Sequence, residues 1–315
     1  MPLKHSGYID LPQHEGDGGF DHAAVHSRLG LLYVAHTANN ALDVIDCIND
    51  KYLRSIPGLI GVAGALVSEE HDLVFTSNRG ENTVGFFAPE NEMDVVKVKV
   101  GIRPNGLAYD PHRNLLIAAN VGDPAIPGSF TVSVVDTERR SAMFTIAVPG
   151  RTGWAVYDSV SDVFFVNIAF PAQIAIIQTA RPKRLIGKFN IPAVGPHGLD
   201  LDSERQRLFC ACDGQKLVAV DSRSGQVLNT VDIGGAPDVT FFNSALKHLY
   251  VAIGDPGVIE VIDTQTMKHI KAVPTEIGAH TMAFDAARNK VYAFLPQTSR
   301  AAVYVDESSG RAAAK

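Results

Sequence analysis

Three histidines and two carboxylates are the residues of this chain best suited to chemistry: His22, His197 and His280, with Asp21 and Asp238. Neutral imidazoles and carboxylates together supply three or four metal ligands and leave a position for exchangeable water, as catalytic zinc-type sites require. An ion held that way polarises a carbonyl or lowers the pKa of its bound water. The expected ligands are His22, His197, His280 and Asp21. Asp21 or Asp238 serves as the fourth ligand or as the group that orients one. His197, His280 and Asp238 are the catalytic candidates, and a divalent metal ion of unspecified identity is the expected cofactor. Arg103 and Arg151 can each grip a carboxylate or phosphate with the guanidinium fork. With Asn105 and Trp154 they make up the expected substrate-binding set. None of these residues falls in a compact signature such as His-Glu-x-x-His, so only the fold can bring them together. Polar residues that merely line a water-filled channel would read the same way.

The elements that must position them are announced by a repeat. Seven segments share one pattern, each opening its turn on a polar residue: His26, Ser68, Asp110, Asp158, Asp202, Asn243 and Asp285. Successive spacings are 42, 42, 48, 44, 41 and 42 residues. A period in the forties built from short β-rich runs is the mark of propeller blades. In the third repeat, Gly106–Tyr109 reads as the inner strand and Asp110–Asn114 as a turn, because Asp and Asn bond back to the backbone and Pro111 presets it. Leu115–Asn120 is an apolar run for a strand buried on both faces. Phe130–Asp136 alternates and is rich in β-branched residues. Ala142–Val148 supplies the outer strand. The last repeat stops at its third strand, Ala302–Asp306, and Gly7–Leu11 at the other end of the chain is expected to complete it. The expectation is an all-β, seven-bladed propeller of four-stranded antiparallel blades, closed by an N-terminal strand that removes two exposed sheet edges. It occupies residues 1–315 as a single domain, with a flexible tail from about residue 307.

The runs Leu31-Leu32-Tyr33-Val34-Ala35-His36 and His248-Leu249-Tyr250-Val251-Ala252 carry a resemblance, together with Asn39–Asp46 and Val258–Thr264. On these residues the chain resembles the YncE-like (YVTN-repeat) family of seven-bladed β-propellers. The resemblance covers nearly the whole chain and implies the fold. It implies little about activity, since the family and its propeller relatives include binding proteins, scaffolds, lactonases and lyases.

In a propeller, the loop entering the inner strand and the loop joining strands two and three open on the same face. Five residues before each turn residue lie Asp21, Ala63, Asn105, Gly153, His197, Asp238 and His280. The second loop set adds His36, Asn78, Arg79, Asn120, Asp123, Cys212, Asp213 and Asp255. Cys210 and Cys212 point to one side of a strand, the first as core and the second near the rim as a nucleophile or soft ligand. The loop Gly122–Phe130 is long enough to overhang the channel. Trp154, the only tryptophan, is a packing residue between blades or a wall for a ligand.

A net charge of −6 argues against a nucleic-acid or polybasic membrane surface. Three cysteines do not make a disulfide framework, and no apolar signal core opens the chain, so a cytoplasmic location is expected. Two functions remain open. One is a metal-assisted hydrolase, lactonase-like, or a lyase acting on a small anionic molecule. The other is a non-catalytic propeller that binds a ligand or a protein partner on its rim.

Overall fold

The structure is a computed structural model and describes residues 2–307; the tail expected from about residue 307 lies, beyond that residue, outside the described residues. Seven separate four-stranded antiparallel sheets make up the chain. Their inner strands, taken as blades 1 to 7, are Phe20–His26, Val62–Ser68, Pro104–Asp110, Thr152–Asp158, Pro196–Asp202, Pro237–Asn243 and Met282–Asp285. Each blade then runs outward through consecutive hairpins. In blade 3 the order is Pro104–Asp110, Leu115–Asn120, Thr131–Asp136 and Ser141–Ala147. The seventh sheet is finished by the N-terminal strand Lys4–Asp10, antiparallel to Arg300–Val305, with Tyr8 opposite Ala302. Closure is therefore as the unfinished last repeat required. Among the described residues only two short 3-10 turns, Thr37–Asn39 and Pro89–Asn91, interrupt the β structure, and no helix is long and apolar enough to cross a membrane.

The second strands are apolar along their whole length because each blade is covered on both faces. Leu32 and Val34 pack with Tyr292 and Phe294 of blade 7, while Tyr33 and Ala35 pack with Val62 and Val74 of blade 2. The same division repeats around the ring, so each blade interface has its own apolar cluster. No blade buries its two faces alone, which makes the stack mutually dependent.

The turn joining inner and second strands is built alike in every blade. Four residues after each turn-opening residue the backbone is left-handed: Gly30, Asp72, Asn114, Asp162, Gln206, Lys247 and Asn289 all have positive φ. The opening Asp or Asn accepts backbone N–H groups just ahead of it, as Asp110 does from His112 and Asn243 from Ala245. Charges on this lower face are spent on neighbours. Arg113 bridges Asp110 and Asp162, Arg207 reaches Asp202, Arg288 reaches Asp285, and Arg28 pairs with Asp72.

Candidate functional site

On the upper face the two loop sets are tied together by backbone hydrogen bonds. Arg79 N–H donates to Gly61 O, Val121 to Arg103, Ala169 to Arg151 and Asp213 to Gly195. The shared face is thus built into the backbone. Six of the seven inner strands also carry a register irregularity just inside this face, between Phe20 and Ala23, Val62 and Gly64, Pro104 and Leu107, Thr152 and Ala155, Pro196 and Gly198, and Pro237 and Thr240. A bulge re-aims side chains that a regular pleat would send to alternate faces. The residues at these bulges include Asp21, His22, Asn105, Trp154, His197 and Asp238.

Asp238 is the centre of the arrangement. His197 Nε2 lies 3.5 Å from its Oδ1 and His280 Nε2 lies 3.9 Å from its Oδ2. The Trp154 indole N–H donates to Oδ1 at 3.2 Å. Asp21, His22 and Asp238 each offer a ligand atom within 4.8 Å of the other two. His22 Nε2 sits 3.4 Å from Asp21 Oδ1 and has no hydrogen-bond partner, although the ring is buried. Arg79 contacts the other Asp21 oxygen at 3.1 Å.

The tautomers follow from the other ring nitrogens. His280 Nδ1 is 2.8 Å from Gly278 O, which can only accept, so Nδ1 carries the proton. His197 Nδ1 is 3.0 Å from Asp213 Oδ1 and donates likewise. In the neutral rings both Nε2 lone pairs then face the Asp238 carboxylate, acceptor against acceptor. A cation between them, either a proton or a metal ion, relieves the clash. Burial alone would raise the Asp238 carboxyl, but His197, His22 and His280 around it hold it down at about 2. Burial disfavours protonated His197, yet Asp238 and Asp213 outweigh it and raise its pKa. For His22 burial prevails over Asp21 and Asp238, and its pKa is lowered.

Trp154 closes the channel under this cluster. From blade 4 its ring reaches blade 6 through the Asp238 hydrogen bond and an edge contact with Phe241 at 6.2 Å. It stacks on His22 of blade 1 with ring centres 4.1 Å apart. A half-buried tryptophan that spans the axis serves as a floor for the upper mouth, a role neither of the two sequence expectations described.

Arg103 and Arg151 lie beside the cluster, with Arg79, in a cavity of about 180 Å³ walled by Phe130, Gly122 and Pro124. Both are exposed, and among the described residues neither has a carboxylate partner. The loop Gly122–Phe130 is folded onto itself by Ser129, whose hydroxyl donates to Asp123 O and accepts from Asp123 N–H. It walls the arginine cavity. Asn105 is buried in the channel wall with its Oδ1 unpartnered.

Of the second loop set, Arg79 and Asp213 reach the cluster. His36, Asn78, Asn120 and Cys212 do not, because they end second strands and face the interior of the blades. His36 is fully buried between Asp43 and His14, at 2.8 and 2.7 Å. Asn78 bonds Thr83, and Asn120 bonds Thr131 and Ser133. Cys212 is completely buried 3.7 Å from Cys210, so the rim thiol expected from its position at the strand end is a core residue instead. Asp123 and Asp255 remain in the loops themselves. Sequence reasoning gave Arg79 and Asp213 no role, although both stood in the loops that topology had already placed on the upper face.

No family model matches the chain. The uncharacterized protein YncE of Salmonella typhimurium is 25% identical over 204 residues, 63% of this chain. The YncE of Salmonella typhi is 24% identical over the same length. The matched stretch spans 56% of the length of these curated relatives. Among solved structures, Kuenenia stuttgartiensis hydrazine synthase aligns with a TM-score of 0.80 at 13% identity, covering 96% of this chain and 97% of that one. The WD40 propeller domain of Doa1 aligns at 0.79 with 11% identity and 98% of both chains. A chain of the mitotic checkpoint complex aligns at 0.81 with 10% identity, covering 96% and 91%. At these identities the structural likenesses speak for the fold alone. Seven blades closed by the N-terminal strand make the chain a seven-bladed β-propeller, similar in sequence to the YncE proteins.

Proposed function

We propose that the upper mouth of the channel binds a divalent metal ion and that the protein acts there as a metal-assisted hydrolase, lactonase-like, or a lyase on a small anionic molecule. The observation that carries this reading is the convergence of His197 and His280 Nε2 on Asp238, with both Nδ1 protons already committed elsewhere. Ligand atoms around a tetrahedral zinc-type ion at 2.0–2.2 Å stand about 3.3 Å apart. The 3.4 and 3.5 Å separations of His22 from Asp21 and of His197 from Asp238 are close to that spacing. Asp213 and the Gly278 carbonyl would orient the imidazoles, as outer partners do for metal-bound histidines. A bound ion would supply Lewis acidity and an acidified water. Asp238, anionic across the working pH range, contributes charge rather than a transferable proton. Arg103 and Arg151 would hold the substrate's carboxylate or phosphate beside the cluster, and Trp154 would stop water and substrate from passing down the channel.

A second reading has its own observation. Ile60, Ile126, Phe170, Val194 and Ile277 are exposed, and all belong to upper-face loops. Apolar side chains around a mouth suit a protein partner. A structural neighbour belongs to the mitotic checkpoint complex, so a propeller of this shape can sit in a protein assembly. One experiment separates the two. Elemental analysis before and after chelation should find near-stoichiometric metal in the wild type and its loss in both His197→Ala and His280→Ala. Protein that stays metal-free after loading with zinc, manganese and calcium in turn overturns the metal reading and favours the binding platform.

A further inference from the structure

Below Trp154 the channel opens again into a cavity of about 420 Å³ that reaches the lower face. Its size is that of a small-molecule site. It shares only the His22–Trp154 pair with the upper mouth. Its walls are aromatic and aliphatic, with Trp154, Phe241, Tyr109 and Tyr157 among them, and no lysine or arginine lines it. One carboxylate, Asp200, stands in this wall. Its two oxygens accept the N–H groups of Leu201 at 2.8 Å and Phe242 at 2.6 Å. Among the described residues no cationic side chain pairs with it, and burial raises its pKa to about 6. In the same wall Thr240 is buried, and its hydroxyl has no hydrogen-bond partner. Glu69 and Glu70 stand at the rim.

A half-buried carboxylate without a counter-charge is costly, and structures retain one where something complements it. Aromatic faces beside it attract cations through the ring quadrupole, more strongly when the site is desolvated. We propose that the lower channel is a binding site for a small organic monocation with an apolar body, its ammonium group held by Asp200 and its body lying against Trp154 and Phe241. The cavity is electrically opposite to the arginine-lined cavity above, so the two ends of one channel select ligands of opposite charge. This site does not depend on metal at the upper mouth.

Trp154 is the sole tryptophan, so its emission reports directly on the cavity. Full-length protein, stripped of metal with EDTA, is titrated with phenethylammonium chloride, and in parallel with uncharged 2-phenylethanol and anionic phenylacetate at constant ionic strength. The expected result is a saturable change in Trp154 emission with phenethylammonium, with binding at least tenfold weaker for the other two compounds. Asp200→Asn should reduce phenethylammonium affinity at least tenfold and leave 2-phenylethanol unchanged, with the fold checked by circular dichroism. The proposal is overturned by an absent or non-saturable change, by equal binding of the three compounds, or by unaltered affinity in a folded Asp200→Asn protein. If that variant does not fold, the three-compound comparison on the wild type decides alone.

Discussion

Asp200 shows what a single residue can cost. Its pKa is raised to about 6, mainly by burial, so the folded state takes up its proton more readily than the unfolded chain does. Above about pH 6 the ionised carboxylate therefore lowers stability, and the penalty fades as pH falls through 6 toward the unfolded value. Asp200→Asn should raise the melting temperature at pH 7.5, by an amount corresponding to about 1–2 kcal/mol. The gain should shrink as pH falls from 7 to 4.5, and a melting series across that range checks it. An unchanged or lowered melting temperature at pH 7.5 would show that the acceptor lost when one oxygen becomes NH2, which cannot take the Leu201 or Phe242 N–H, outweighs the relief of the buried charge. At this scale the sequence placed several of the residues that meet at the upper mouth. His22, His197, His280 and Asp238 were legible because the repeat fixed their place at the channel mouth. Asp200 was not, because its position in the inner strand carries Ala24, Leu66, Ala108, Val156, Phe241 and Ala283 in other blades and advertises no chemistry.

At the scale of the element, the inner strand does two jobs with one irregularity. The bulge turns site residues toward the axis, and glycine beside it lets neighbouring blades approach backbone to backbone. A Cβ on Gly198 would stand 2.2 Å from Asp238 O and 2.4 Å from Thr240 Oγ1. The obstacle is backbone of the next blade, which cannot swing aside. Gly198→Ala should therefore cost more than about 2 kcal/mol, as overpacking does, and it should shift Asp238 away from His197. On the outer strand of blade 4, a Cβ at Gly187 would meet only the Ile176 Cδ1 at 3.5 Å. Gly187→Ala should be close to neutral, and denaturant unfolding of the two variants side by side measures the contrast. Strand positions and turns were readable because turn chemistry and β-branched runs are local signals. The bulges were not, since an extra residue in a ladder is defined only against the partner strand.

The whole molecule is held by closure. The N-terminal strand contributes Ile9 to the interface of blades 7 and 1, where Leu11 follows it, while Leu3 enters the core between blades 6 and 7. Removing residues 2–11 strips these apolar groups and exposes the edge of Arg300–Val305. Because each interface supports the next, the loss should not stay local. The truncated chain should lose its single sharp unfolding transition and self-associate through the open edge, as seen by calorimetry and size-exclusion chromatography. A truncated chain that remains monomeric with an unchanged melting temperature would show that the ring is held by blade packing without the strand.

The sequence by itself determined the number of blades, their strand order, the closing strand and the face on which site residues gather. These depend on periodicity and turn chemistry, which are written locally and repeated seven times. Only the tertiary structure decided which of those residues meet. Asp238 draws in His197, His280, Trp154 and His22 from four other blades, while His36 and Cys212, equally eligible by position, turn into the blades. Whether a side chain at the rim points to the axis or to the core depends on the bulge and on the blade beside it. That is a relation between strands far apart in the chain, and no single stretch of sequence contains it.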